Sequence, residues 1–77
     1  MKRTINGRKY GLRVMDRDAV SSPGLAGSLI YAMQRHAETG RPYMVSSHGH
    51  VTLDCPHNRS VLMSDDFGSV AAFTVAL

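Results

Sequence analysis

The feature that most constrains the fold is the dipeptide Asn6-Gly7, which lies between two runs of alternating residues. A two-residue hairpin turn needs positive φ angles at both positions, and Asn followed by Gly adopts them most readily. The dipeptide therefore predicts a hairpin in which Ile5 pairs with Arg8. Two residues further from the turn, Arg3 pairs with Tyr10. Strand alternation then gives this hairpin an apolar side that faces the core and a basic side that faces solvent.

Basic residues are concentrated in and just after this hairpin. Residues 1–17 hold six basic residues and one acid, a net charge of +5, whereas residues 18–77 hold three basic and five acidic residues, a net charge of −2. This asymmetry predicts an anionic partner for the hairpin, and the alternative is that the charges only solvate an edge strand. The candidate contacts are five basic residues: Lys2, Arg3, Arg8, Lys9 and Arg13.

Apolar residues recur with helical spacing from residue 25 to residue 37, which predicts an amphipathic helix. Ser22 suits the N-cap of this helix and Pro23 suits its first position. Gly40 follows the last periodic residue and predicts the C-terminal stop. The residues between the first hairpin and Ser22 are expected to form a loop.

A second hairpin is predicted after the helix, with a turn at His48-Gly49. This turn would pair Val45 with Thr52. In that register Met44 faces the helix and Tyr43 lies on the outer face of the sheet.

The C-terminal part of the chain is more ambiguous. Residues 61–63 are expected to form a short strand, and residues 69–77 fit either a strand or a helix. Their Val, Phe and Thr content favours the strand, in which four residues would face the core: Ala71, Phe73, Val75 and Leu77. We therefore expect residues 1–77 to form one α+β domain, a single helix packed on an antiparallel sheet, in the order ββαββ with a C-terminal hairpin.

Composition limits the kind of protein this is. The chain is 43% hydrophobic and 19% charged, which argues against intrinsic disorder, and its one cysteine rules out an internal disulfide. The opening residues lack the apolar stretch of a signal peptide, and no apolar run approaches the length of a membrane span. We expect a soluble protein of the reducing cytoplasm that does not contact a membrane.

Four potential zinc ligands lie within residues 48–57: His48, His50, Cys55 and His57. Their spacing is not that of common structural zinc sites, and the predicted register points Cys55 inward and His50 outward. At 77 residues the chain also leaves little room for an enclosed substrate pocket. We therefore expect no metal, no cofactor and no catalytic residue, and we interpret the chain as a binding protein rather than an enzyme.

A second candidate contact surface consists of aromatic and arginine side chains. Tyr31 and Arg35 lie on the polar side of the predicted helix, and Tyr43 lies on the predicted outer face of the sheet. Tyrosine and arginine are enriched at protein interfaces, so this surface predicts a protein partner. A homodimer through an edge strand, or through the outer face around Tyr43, would enlarge so small a core.

Residues 22–56 combine a capped, alanine-bearing helix with a hairpin that ends at a proline. The features are Ser22-Pro23-Gly24 at the helix start, Ala32-Met33-Gln34 and Glu38 within the helix, Gly40 and Pro42 after it, and Pro56 at the end of the hairpin. In these features the segment resembles short phage-encoded anti-CRISPR proteins directed at type I surveillance complexes.

The resemblance implies a mode of action and no individual functional residue, because anti-CRISPR proteins share no common motif or fold. It implies a small, stable, non-enzymatic inhibitor that masks a Cas protein surface or the nucleic-acid site of that protein. The basic N-terminus departs from the acidic, DNA-mimicking kind. Our leading hypothesis is an inhibitor from a phage or mobile element that binds and blocks a host protein complex, with a Cas subunit as the partner. The alternative is a small regulator that binds nucleic acid through the basic hairpin.

Overall fold

The computed structural model describes residues 2–64 and 68–77, and for residues 62–64 it describes the backbone only. These residues form a five-stranded antiparallel sheet in the order β1-β2-β5-β3-β4. The strands are β1 (Lys2–Ile5), β2 (Arg8–Val14), β3 (Tyr43–Ser46), β4 (Val51–Leu53) and β5 (Val70–Ala76). The α-helices are α1 (Arg17–Ser21), α2 (Ala26–Thr39) and α3 (Pro56–Ser64). The predicted α+β class, with one main helix packed on an antiparallel sheet, is confirmed.

The first hairpin has the predicted register. Ile5 pairs with Arg8 and, two residues on, Arg3 pairs with Tyr10. The two turn residues have positive φ angles, 53° at Asn6 and 79° at Gly7. Both values belong to the left-handed region that this two-residue turn requires.

The main helix begins and ends at the positions that Pro23 and Gly40 predict. A 3₁₀ turn, Pro23–Leu25, leads directly into α2. At the other end Gly40 has a φ of 71°, and its amide donates to the carbonyl oxygen of His36. Ser22 occupies the predicted N-cap position, with an extended backbone, but its side chain does not form the expected capping hydrogen bond. The proline itself starts the helical turn.

A short helix, α1, occupies part of the segment that was expected to be a loop. The side chain of Asp16 caps it by accepting a hydrogen bond from the amide of Ala19 at 3.1 Å. An aspartate that accepts from the third residue beyond it is a common way to start a helix. The turn of helix lies against β5 and places Ala19 and Val20 against the edge of the core.

The second hairpin is shifted by one residue from its predicted register. Val45 pairs with Val51 rather than Thr52, and a four-residue loop replaces the two-residue turn. The hydroxyl of Ser46 organises this loop by accepting hydrogen bonds from the amides of His48 and His50. Because side chains alternate along a strand, the shift exchanges the faces of the first strand of this hairpin. Tyr43 and Val45 face α2, and Met44 faces away from it.

Two predictions for the C-terminal region differ from the structure. Residues 61–63 belong to α3 and form no strand. Residues 70–76 do form a strand, which confirms the favoured alternative, but β5 lies in the centre of the sheet between β2 and β3 instead of in a C-terminal hairpin. Phe73 and Val75 lie on the sheet face turned away from α2, although they were expected in the core. Their neighbour Ala72 packs in the core under α2.

The core lies between α2 and one face of the sheet. Its main cluster of buried residues consists of Leu25, Leu29, Ala32, Val45, Ala71 and Ala72. Met44 is also fully buried, on the opposite face of the sheet. Thr74 is the buried polar residue at the centre of the sheet, and its hydroxyl accepts a hydrogen bond from the Tyr43 amide at 2.9 Å. Among the described residues, no helix is both long and apolar enough to cross a lipid bilayer.

Candidate binding surfaces

The sheet face turned away from α2, called here the open face, carries a row of basic residues. This cation row consists of Lys2, Lys9 and Arg13, and all three side chains are exposed. Residues that pair across antiparallel strands share a face, so the pairing of Lys2 with Gly11 places both on the open face. The structure thus brings together three of the five basic residues predicted to form one site.

The other two basic residues of the first hairpin lie on the α2 side. Arg3 pairs with Tyr10, and the ring of Tyr10 lies edge-on to the imidazole of His36 on α2, with centroids 5.3 Å apart. Arg8 pairs with Ile5 on the same side. The predicted five-residue contact is therefore divided between the two faces of the hairpin.

Beside the cation row runs an apolar row made of Phe73, Val75 and Leu77. Pairing aligns the two rows, since Phe73 lies opposite Arg13 and Val75 lies opposite Gly11. The missing side chain at Gly11 leaves room for Leu77, because a Cβ atom there would come within 3.0 Å of the Leu77 Cδ1. Lys9 and Arg13 on β2 thus lie beside the apolar side chains of the adjacent strand, and Lys2 on β1 lies one strand further out.

Phe73 is flanked by two guanidinium groups. The Cζ atom of Arg13 lies 5.8 Å from the Phe73 ring centroid, and that of Arg59 on α3 lies 5.0 Å from it. Both distances are within the range of a cation–π interaction. Arg59 also forms a two-pronged ion pair with Asp54, in which Nε lies 2.6 Å from Oδ1 and Nη2 lies 3.0 Å from Oδ2. This carboxylate raises the pKa of Arg59 above its usual value, first through the hydrogen bond and then through its charge.

The second surface, called here the aromatic patch, consists of Tyr31, Arg35 and Tyr43. The Cζ atom of Arg35 lies 5.9 Å from the centroid of the Tyr43 ring, and its Nη1 lies 3.0 Å from Oε2 of Glu38. Tyr43 is the largest cause of the raised pKa of Arg35, followed by Glu38. Tyr31 lies one helical turn before Arg35, and 53% of its surface is exposed.

The sequence placed Tyr43 on the wrong side of the sheet, but the structure still assembles the predicted set. Tyr43 lies on the α2 side, where it joins Tyr31 and Arg35 on one continuous surface. In the predicted register, the sheet would have separated Tyr43 from the two helix residues.

Two residues of the open face, Phe73 and Arg59, were missed by sequence reasoning. The alternation of the C-terminal strand was visible, but alternation alone does not say which face a second layer covers. No sequence pattern placed Arg59 near Phe73, because its position depends on α3, a helix that was not predicted.

The four candidate zinc ligands lie at or beyond the ends of β4. His48, His50 and His57 are exposed, and Cys55 is a half-buried free thiol just before α3. Within residues 2–64 and 68–77, no three His, Cys, Asp or Glu side chains are grouped closely enough to hold a metal ion.

Comparison of the chain with protein-family models, with curated proteins and with solved structures finds no match.

Proposed function

We propose that this chain is a non-enzymatic binding protein that blocks a host protein complex, in the manner of the anti-CRISPR proteins that residues 22–56 resemble. The proposed partner is a Cas subunit of a type I surveillance complex in the cytoplasm of the host cell. The basic first hairpin does not resemble the surface of DNA, so inhibition would come from a protein contact rather than from DNA mimicry.

The aromatic patch is the observation that carries this proposal. Arg35 is held between the Tyr43 ring and the Glu38 carboxylate, while Tyr31 projects beside it into solvent. Tyrosine and arginine are the side chains that most often contribute large shares of interface energy. Because neighbouring contacts already restrain the Arg35 guanidinium, less side-chain freedom is lost on binding.

The alternative hypothesis, nucleic-acid binding through the basic hairpin, uses the open face on the other side of the sheet. The two surfaces are separate, so a contact at one does not prevent a contact at the other. The predicted homodimer would pair copies at β1 or β4, the two edge strands among the described residues.

The proposal is tested by capture and by inhibition. The full chain, carrying an affinity tag, is incubated with a purified type I surveillance complex, and the retained Cas subunits are quantified. The double variant Tyr31→Ala/Arg35→Ala is compared with Arg17→Ala, which removes an exposed arginine from α1. We expect the patch variant to lose at least tenfold in affinity, as for two central interface residues, and the α1 variant to bind normally.

Inhibition is measured in parallel as the loss of phage interference in cells that express each variant. Retention of a Cas subunit and inhibition that both disappear in the patch variant support the proposal. Absence of any retained Cas subunit, or equal retention by the patch variant and the wild type, contradicts it. Circular dichroism of each variant distinguishes a lost contact from a lost fold.

A further inference from the structure

The open face is a strongly charged surface that the proposed protein contact leaves unused. Its three row cations, Lys2, Lys9 and Arg13, are exposed. In the part of the chain that the structure describes, none of the three forms an ion pair, since the two ion pairs found there use Arg35 and Arg59. Their charge is therefore available to an anionic partner.

The apolar row defines which kind of anion fits. Phe73 and Val75 are half-buried, and Leu77 is 62% exposed, so the row offers apolar surface directly beside the cations. Lys9 and Arg13 lie on β2, the strand next to β5 and about 5 Å from it, and Lys2 lies one strand further away on β1.

A ligand that matches both rows has a line of negative charges along one edge and flat apolar groups along the other. Single-stranded nucleic acid has this form, with phosphates on one side and unpaired bases on the other. A duplex presents phosphates as well, but its stacked bases are not free to cover an aromatic side chain. We infer that the open face binds single-stranded nucleic acid, with phosphates along the cation row and a base stacked at Phe73.

The roles of the flanking residues follow from the same geometry. Arg13 contacts the Phe73 ring in the free protein, so a base that stacks on Phe73 displaces the Arg13 guanidinium, which is then free to contact a phosphate. Arg59 borders Phe73 from α3, and its planar guanidinium offers a second stacking surface. Because Asp54 neutralises Arg59, that residue adds stacking surface rather than net charge.

The size of the site sets the expected salt dependence. From Lys9 to Arg13 the cation row covers five residues of β2, about 14 Å, with Lys2 opposite its middle on β1, so the site is short. Three phosphate contacts on a single strand give a slope of log K against log salt concentration of about −2. We expect weak binding at physiological salt that strengthens steeply as salt is lowered.

The test is fluorescence anisotropy with a labelled oligothymidylate, a second single strand of mixed sequence, and a matched hairpin duplex, over a series of salt concentrations. We expect both single strands to bind with the slope given above, and the duplex to bind more weakly at every salt concentration. Phe73→Leu keeps the apolar row but removes the ring, so it should weaken single-strand binding about tenfold.

The matched control separates the face from the net charge. Lys9→Gln/Arg13→Gln and Arg3→Gln/Arg8→Gln each remove two charges from the same hairpin, the first pair from the open face and the second from the α2 side. Only the first pair should lose affinity strongly, and its slope should fall by about 1.4. Circular dichroism confirms that each variant is folded.

Several results would overturn the inference. Equal losses in the two double variants would indicate binding by net charge alone. Duplex binding as tight as single-strand binding, or unchanged affinity in Phe73→Leu, would remove the role of the apolar row. Polyglutamate that competes as well as oligothymidylate at the same concentration of negative charges would indicate an acidic protein as the partner. The inference does not depend on the proposed Cas contact, because Tyr31→Ala/Arg35→Ala should bind oligothymidylate like the wild type.

Discussion

The two faces of the sheet differ in the residues they carry and in how deeply those residues are buried. On the face under α2, small and aliphatic residues such as Ala72 and Val45 are fully buried against Leu29 and Ala32. On the open face, Met44 on β3 is also fully buried, whereas Phe73 and Val75 on the central strand are half-buried and lie beside exposed cations. Most of the buried residues thus lie on the α2 side, and the exposed charge lies on the β1–β2 part of the open face, so substitutions in these two regions should affect stability and binding separately.

The largest expected contrast concerns leucine truncation. Leu29 is fully buried at the centre of the core, so Leu29→Ala removes packed methyl groups and leaves a cavity. We expect a loss of about 2–5 kcal/mol in the free energy of unfolding, measured by urea denaturation. Leu77→Ala on the open face should change it by no more than about 0.5 kcal/mol. Similar losses in both variants would show that Leu77 is packed as tightly as the core residues under α2.

Enlarging a small residue tests the same contrast in the opposite direction. Ala32 has no exposed surface, so Ala32→Leu should overpack the core and cost about 1–3 kcal/mol. Gly11→Ala adds a methyl group on the open face, where the mobile end of the exposed Leu77 side chain can give way. Replacing a glycine inside a strand should then stabilise the fold by about 0.5–1 kcal/mol. A destabilised Gly11→Ala variant would mean that the open face is tightly packed.

The two faces can also be compared by replacing one threonine on each and measuring the change in the free energy of unfolding. Thr74 is buried and accepts a hydrogen bond from the Tyr43 amide, so Thr74→Val leaves that amide without its acceptor. We expect a cost of about 1–3 kcal/mol, measured by chemical denaturation. Thr52→Val on the open face should change the free energy of unfolding by less than about 0.5 kcal/mol. Equal effects would contradict the unequal burial of the two faces.

The smallest expected effect concerns the charge on α3. Asp54→Asn removes the carboxylate that pairs with Arg59, so Arg59 becomes a fourth cation available to a phosphate. The slope of log K against log salt concentration for oligothymidylate should steepen by about 0.7. Asp18→Asn makes the same change of net charge on α1 and should leave the slope unchanged. Parallel behaviour of the two variants would show that Arg59 does not belong to the binding face.

The elements defined by local chemistry could be predicted from the sequence. The Asn6-Gly7 turn admits one register because its two φ angles must be positive, and the first hairpin has that register. The end of α2 is similarly defined, since Gly40 adopts the left-handed conformation that stops a helix. At both positions the local backbone conformation determines the structure, so the prediction did not depend on long-range contacts.

The remaining parts of the fold depend on contacts that alternation does not reveal. The second hairpin was misplaced by one residue because the hydroxyl of Ser46 organises a longer loop. The central position of β5 results from long-range pairing with β2 and β3, and no local motif encodes it. Of the candidate sites, the cation row followed from the first hairpin. The contribution of Phe73 to the open face could not be predicted, because it depends on the pairing of β5 with β2.

The side of the sheet under α2 holds most of the core, while the cation row and the apolar row of the open face remain available to bind. An amide NMR titration of the folded protein with oligothymidylate at low salt tests this claim most directly. We predict shifts concentrated at residues 9–13 and 73–77, with the amides of Leu29 and Tyr31 unchanged. Shifts centred on α2, or no shifts at saturating oligonucleotide, would contradict the account.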